Sequence, residues 1–255
     1  MLGGVRLPVP KRGREEGEKP FWISFSDLMS ALMVLFLVAM SVALLTVTEG
    51  ITDIERQERE RNDAIAKLMA EVGKLSLQKE FEGVRVIGNT IDFGTRGRFE
   101  REGQNTLSAQ QRDLLRQFTP ELLSKLRESD AGKLWFKRAV VEGYASQTGK
   151  YLFNLNLSLE RSERVICELL RAPVAGEPVM SDEDRKLVAT KFFVGGASFN
   201  SLRATAEDSR RIEFKLEFKT RQERSEELKN SAPFFDEAAL ALALDPNERC
   251  PIFSR

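Results

Sequence analysis

The sequence predicts an α+β protein made of one N-terminal transmembrane helix, a helical stalk and a C-terminal α/β two-layer sandwich. Three observations lead there. Residues 28–47 read LMSALMVLFLVAMSVALLTV, twenty residues without a charge. Residues 51–80 are charged and free of proline, with apolar positions three and four apart. Beyond them, strand-like and helix-like segments alternate, the pattern of a sheet covered by helices.

The chain opens with a polar leader over 1–20 that carries Arg6, Lys11, Arg12, Arg14 and Lys19. A membrane helix is expected over 21–48. At ~1.5 Å per residue, the uncharged run spans ~30 Å, the thickness of a hydrocarbon core. A cleaved signal peptide would have an apolar region about half as long, leading to an A-x-A-like site. Here the run ends in Thr46-Val47-Thr48-Glu49, so the span is read as retained. The basic leader precedes the span, and the next cation after it is Arg56. The positive-inside rule therefore places the N-terminus in the cytoplasm and the remainder across the membrane. In a bacterium this is a single pass through the inner membrane with a periplasmic domain.

Residues 49–82 are expected to form a helical linker. Ile51, Ile54, Ile65, Leu68, Val72 and Leu75 share a seam that Glu58 and Arg61 interrupt. Either a short coiled coil with a second copy or a solvated stalk fits that pattern. The sandwich follows over 83–220, and a tail over 221–255 packs on it. Strands are expected at 84–93, 139–144, 191–194 and 212–218, and helices at 108–126, capped by Ser108, and at 153–170. In the last strand Ile212, Phe214, Leu216 and Phe218 point inward and the charged residues outward. A loop is expected over 172–184, and a weakly helical stretch over 234–244.

Composition narrows the chemistry. The chain has no histidine, which removes the commonest zinc ligand and the usual base of a nucleophile pair. The net charge is zero, so nothing points to direct contact with nucleic acid. No metal or organic cofactor is expected. Cys167 and Cys250 form no CxxC pair; in an oxidising compartment they can join and staple the tail, although spacing alone does not bring them together.

Asp27 lies about two turns inside the apolar stretch counted from Phe21. It can be a helix N-cap in the headgroup layer, flanked by the interfacial aromatics Trp22 and Phe25. It can also be an ion-carrying group. An ionised carboxylate in a membrane helix costs ~2.5–3.5 kcal/mol. Protonating an ordinary aspartate at neutral pH costs about 4 kcal/mol. The two penalties nearly balance, so a modest change of surroundings can switch the charge. Ser24 and Ser30 place hydroxyls nearby as support for such a path, and one lone helix would need partner helices to complete it.

The block FWISFSDLMSALMVLFLV over 21–38 resembles the membrane helix of the flagellar stator B subunit family. Within that family the lead-in KPFWIS over 19–24 is similar to the B subunits of Zorya anti-phage defence systems. The resemblance makes Asp27 the ion-binding carboxylate, with H+ as the transported ion, though the residue alone does not separate H+ from Na+. It further implies a second copy as dimer partner, held in a ring of A-type membrane subunits, pentameric by the same resemblance.

A second resemblance covers about 84–220. The run VVEGYASQTG over 140–149, NLNLSLERSERV over 154–165 and SRRIE over 209–213 resemble the OmpA-like peptidoglycan-binding domain. Its pattern is G-[HY]-[TS]-D-x-x-G, then N-x-x-L-S-x-x-R-A, then N-R-R-V-E. Peptidoglycan stem peptides present a free carboxylate and an ammonium, and a planar guanidinium fork matches the carboxylate. By motif position Arg161 is that fork, Asn154 and Leu157 shape the pocket, Ser158 caps or braces the helix opening, and Arg210 lines the site. In an alternating strand, one of Arg210 and Arg211 must face solvent. Ser146 stands where the family has its aspartate, so the ammonium lacks its acid, and Glu142 is not an obvious substitute.

Three function classes follow. The first is an ion-driven stator subunit gripping peptidoglycan, working in anti-phage defence or, alternatively, in motility. The second is a passive tether between membrane and wall, which has no need of Asp27. The third, a hydrolytic wall enzyme, lacks a histidine, a metal-ligand cluster and paired acids, so no enzymatic activity is expected.

Overall fold

A computed structural model describes residues 19–229, 239–240, 243–245 and 247–254. The basic leader before Lys19 and most of the weakly helical stretch over 234–244 lie outside the described residues. The chain divides into two compact units, Met1–Gln57 and Glu58–Arg255.

Among the described residues, the first unit is helix α1 (Lys19–Leu75) as far as Gln57. It is long and apolar enough to cross a membrane, and its most apolar window buries nothing against protein. Hydroxyls along the apolar run fold back on the preceding turn. Ser30 donates to the Ser26 carbonyl at 2.8 Å, Ser41 to Leu37 at 2.7 Å, Thr46 to Val42 at 3.0 Å and Thr48 to Leu44 at 2.8 Å. Each hydroxyl proton is thereby satisfied without water, which is the condition for lying in hydrocarbon.

In the second unit, the end of α1 is not a stalk. Ile65, Leu68, Met69, Val72 and Leu75 are buried in the main hydrophobic core, while Ile51 and Ile54 of the first unit are exposed. The apolar seam of the sequence is thus split. Its second half is consumed by the domain, and no coiled-coil seam remains there. The expected strand at 84–93 is a hairpin, β1 (Arg85–Ile87) and β2 (Thr90–Asp92), because Gly88 takes φ +57° and turns the chain. Helix α2 (Ala109–Glu128) starts where expected. Ser108 accepts from the Gln111 amide while the Gln111 side chain accepts from the Ser108 amide, a reciprocal capping box.

A short helix α3 (Asp130–Trp135) leads into strand β3 (Phe136–Gly143), followed by helix α4 (Tyr151–Leu170). The region expected as a loop ends in helix α5 (Asp182–Lys191), capped by Ser181, before strand β4 (Phe192–Gly196). One turn, α6 (Ala206–Ser209), precedes β5 (Ile212–Phe218), and the charged residues after Thr220 form α7 (Arg221–Lys229). The five strands lie in the order β1-β2-β5-β3-β4, antiparallel except for the parallel pair β3 and β4. A chain of edge-to-face phenylalanines links sheet to helix: Phe192–Phe214, Phe214–Phe93, Phe93–Phe118 and Phe118–Phe81, with centroids 4.8–5.6 Å apart.

Two expectations about charge are overturned. Glu213 is buried, not outward, because Arg203 and Arg211 both reach its carboxylate at 2.7 Å. Arg210 and Arg211 are both buried, because they precede β5 and escape its alternation. Asp92 joins the same network through Arg203 and Arg85, each at 2.9 Å, and accepts from the Gly94 amide at 2.8 Å. Burial would raise the Asp92 carboxyl, but the Gly94 amide and the two arginines outweigh it and hold it below the ordinary value. A group depressed in this way stabilises the fold above its unfolded value and loses that contribution as pH falls through the folded one. Asp92→Asn is therefore expected to lower stability at pH 7 by about 2–3 kcal/mol. In denaturant titrations the variant and wild type should begin to converge as the pH drops below about 3.8, the ordinary Asp value, and coincide only below the lowered folded value.

Cys167 of α4 and Cys250 of the tail are joined in a disulfide, with Cα atoms 5.4 Å apart. The tail is also held by Arg164, which donates to the Ile252 carbonyl at 3.0 Å, and by Asn105, which donates to the Phe253 carbonyl at 2.8 Å. The cross-link bridges a sequence separation of 83 residues, a constraint on the unfolded chain of typically ~2–4 kcal/mol. Reductant should lower the thermal midpoint by about 5–10 °C, and a Cys167→Ser/Cys250→Ser variant should melt at that lower value with or without it.

Candidate functional site

Strand β3 runs out at Gly143, and the space there is set by glycine. A Cβ on Gly143 would lie 1.9 Å from the Ser158 carbonyl oxygen, and one on Gly196, its register partner in β4, 2.9 Å from the Leu159 amide. Helix α4 therefore lies directly on the strand ends, which fixes Arg161 beside the turn that follows β3. Ser158 does not cap α4. It stands two turns inside and braces the chain after β4, accepting from the Ser198 amide at 2.9 Å.

The turn over 144–149 closes through Asn154, which is buried and donates to the Thr148 carbonyl at 2.9 Å. Leu157 and Ser146 are buried as well. Arg161 is fully buried (0% exposed). Its Nε donates to the Gln104 carbonyl at 2.8 Å and its Nη1 to the Tyr144 carbonyl at 2.7 Å. The guanidinium carbon lies 4.4 Å from the centre of the Phe99 ring, and Nη2 is buried with no hydrogen-bond partner. Burial, with Arg210 adding repulsion, pushes Arg161 down to about 9. Arg210 occupies the other side of the same segment, donating to the Phe99 carbonyl at 3.1 Å and to the Glu100 carbonyl at 2.9 Å.

The structure thus gathers Ser146, Asn154, Leu157, Arg161 and Arg210 around one turn and one loop. What this cluster can do follows from its charge. The Arg161 guanidinium is held by two neutral carbonyls, and one nitrogen, Nη2, is left with its donors unmet. The loop over 99–105 was not foreseen as part of the site, because Phe99 and Gln104 carry no motif. Tyr144 turns away from this cluster. Its hydroxyl donates to Glu142, which also receives Lys215 Nζ at 2.6 Å, and Arg211 stacks 3.9 Å over its ring. Burial, then the bond to Glu142, raises the Tyr144 hydroxyl far above its ordinary value.

In the first unit, Asp27 stands more than two turns inside α1, which begins at Lys19, so it does not cap the helix. Ser24 and Ser30 are three residues to either side, on the same side of the helix. With its proton on the Ser26 carbonyl, Ser30 keeps oxygen lone pairs available beside Asp27.

No family model matches the chain. It is 39% identical over 219 residues to Zorya protein ZorB of Escherichia coli O139:H28 (strain E24377A / ETEC), covering 84% of this chain and 87% of that protein. The chain belongs to the Zorya ZorB family. Parts of this ZorB-family chain are also similar to two solved structures. The OmpA-like domain of FopA1 from Francisella tularensis subsp. tularensis SCHU S4 has 17% identity and a TM-score of 0.34, over 54% of this chain and 82% of that one. The periplasmic domain of Helicobacter pylori MotB has 11% identity and a TM-score of 0.39, over 61% of this chain and 93% of that one.

Proposed function

We propose that this ZorB-family chain is a peptidoglycan-anchored, ion-driven stator subunit acting in anti-phage defence. The observation that carries the proposal is Asp27, the single charged residue in the apolar stretch 21–48 of α1. A charged group in that position is expensive unless it works. Two copies of the chain sit within a ring of A-type membrane subunits, whose helices complete the path. H+ binding and release at Asp27 turns the ring against the anchored domain. One charge crossing 100 mV gains ~2.3 kcal/mol, enough to bias such a switch. The N-terminus lies in the cytoplasm, the domain in the periplasm, and Arg161 grips a carboxylate of the wall peptide. The test is a phage plaque assay with the intact operon, comparing wild type with Asp27→Asn, and scoring swimming in the same strains.

A further inference from the structure

We infer that Glu102 supplies the carboxylate that meets the ammonium of the bound wall peptide, in place of the acid missing at Ser146. The inference rests on the wall-binding reading of Arg161 and adds the second half of its ligand. A stem peptide that offers a carboxylate to Arg161 also carries an amino group a few bonds away, and that charge needs a partner. The turn over 143–149 contains no acid, and its Ser146 is buried. Glu142 is already engaged by the Tyr144 hydroxyl and by Lys215.

Glu102 comes from a different segment and reaches the same turn. It is exposed, and its Oε1 accepts from the Thr148 hydroxyl at 2.9 Å. That bond fixes the carboxylate through one oxygen, and the other has lone pairs to offer an ammonium. Two residues further on, the Gln104 carbonyl receives Arg161 Nε. Acid and guanidinium are therefore both tied to the loop over 102–104 and to the turn that holds Tyr144 and Thr148. The loop is anchored in turn by Asn105, which is fully buried and donates to Glu160 at 2.9 Å and to the Phe253 carbonyl at 2.8 Å. Sequence reading could not find this acid, because Glu102 and Thr148 are 46 residues apart.

The experiment uses full-length protein in detergent, pelleted with diaminopimelate-containing sacculi that are untreated or N-acetylated with acetic anhydride. Acetylation removes the free ammonium and leaves the carboxylate. Wild type is expected to bind acetylated sacculi about three- to fivefold more weakly, the scale of an exposed ion pair. Glu102→Gln should bind untreated sacculi at that weakened level and show no preference between the two, whereas Glu102→Asp should regain part of the preference. Since Glu102 is exposed, these variants should melt like wild type. The inference is overturned if Glu102→Gln keeps the wild-type preference, or if wild type has none. The underlying wall-binding reading fails separately, if wild type pellets with neither preparation or Arg161→Met pellets as well as wild type.

Discussion

Cells carrying Asp27→Asn are expected to plate phage as though they lacked the defence operon, with the protein still present in the membrane at wild-type abundance. Asparagine keeps the size and hydrogen-bonding shape of the side chain and removes only the exchangeable proton. It also removes the burden of a charge in an apolar helix, ~2.5–3.5 kcal/mol on the insertion scale, so membrane assembly should not suffer. The effect on function should be total, because an ion path with no group to carry the ion delivers no work. Swimming should be unchanged. Wild-type protection by the variant, measured as efficiency of plating, would reduce this chain to a passive tether.

Arg161→Met is expected to lower sacculus binding at least tenfold while the domain melts within a few degrees of wild type. Two opposing quantities decide the second half of that statement. The guanidinium gives charge-assisted hydrogen bonds to the Gln104 and Tyr144 carbonyls, roughly 1.5–3 kcal/mol each. Against them stands the burial of a cation whose hydrogen-bond partners are neutral, which pushes Arg161 down to about 9 and costs on the order of several kcal/mol. The terms are of similar size. Methionine keeps the apolar contact with Phe99 and removes the charge. The donor left unmet on its Nη2 is what the proposed wall contact would use. Differential scanning alongside the pelleting assay separates the readings. A large drop in midpoint with binding retained would make Arg161 a structural residue.

Local signals made part of this fold readable. The uncharged run over 28–47, Ser108 three residues ahead of Gln111, and the alternation of Ile212, Phe214 and Leu216 are each complete within one segment of chain. What stayed hidden depends on partners distant in sequence. Nothing near Glu213 announces that Arg203, ten residues away, will neutralise it and allow it to be buried. Nothing near Leu68 or Val72 says whether their apolar face meets a second copy, water or the chain's own core. The site divides in the same way. The motif placed Asn154, Leu157 and Arg161 on one helix, but the loop that covers Arg161 arrives from 57 residues away. The burial of that arginine is a property of the assembled domain.

The part played by α1 in the second unit sets where the domain can be cut. Ile65, Leu68, Met69, Val72 and Leu75 bring five buried apolar side chains to the core. At about 2 kcal/mol each they contribute on the order of 10 kcal/mol, comparable with the whole net stability of an ordinary domain. A soluble fragment begun at residue 83, the start of the expected sandwich, would leave that face of the core open to water and prone to self-association. The compact second unit begins at Glu58. A fragment that keeps the core closed therefore includes the helix from Ile65 to Leu75, which the motif similarity over 84–220 does not mark.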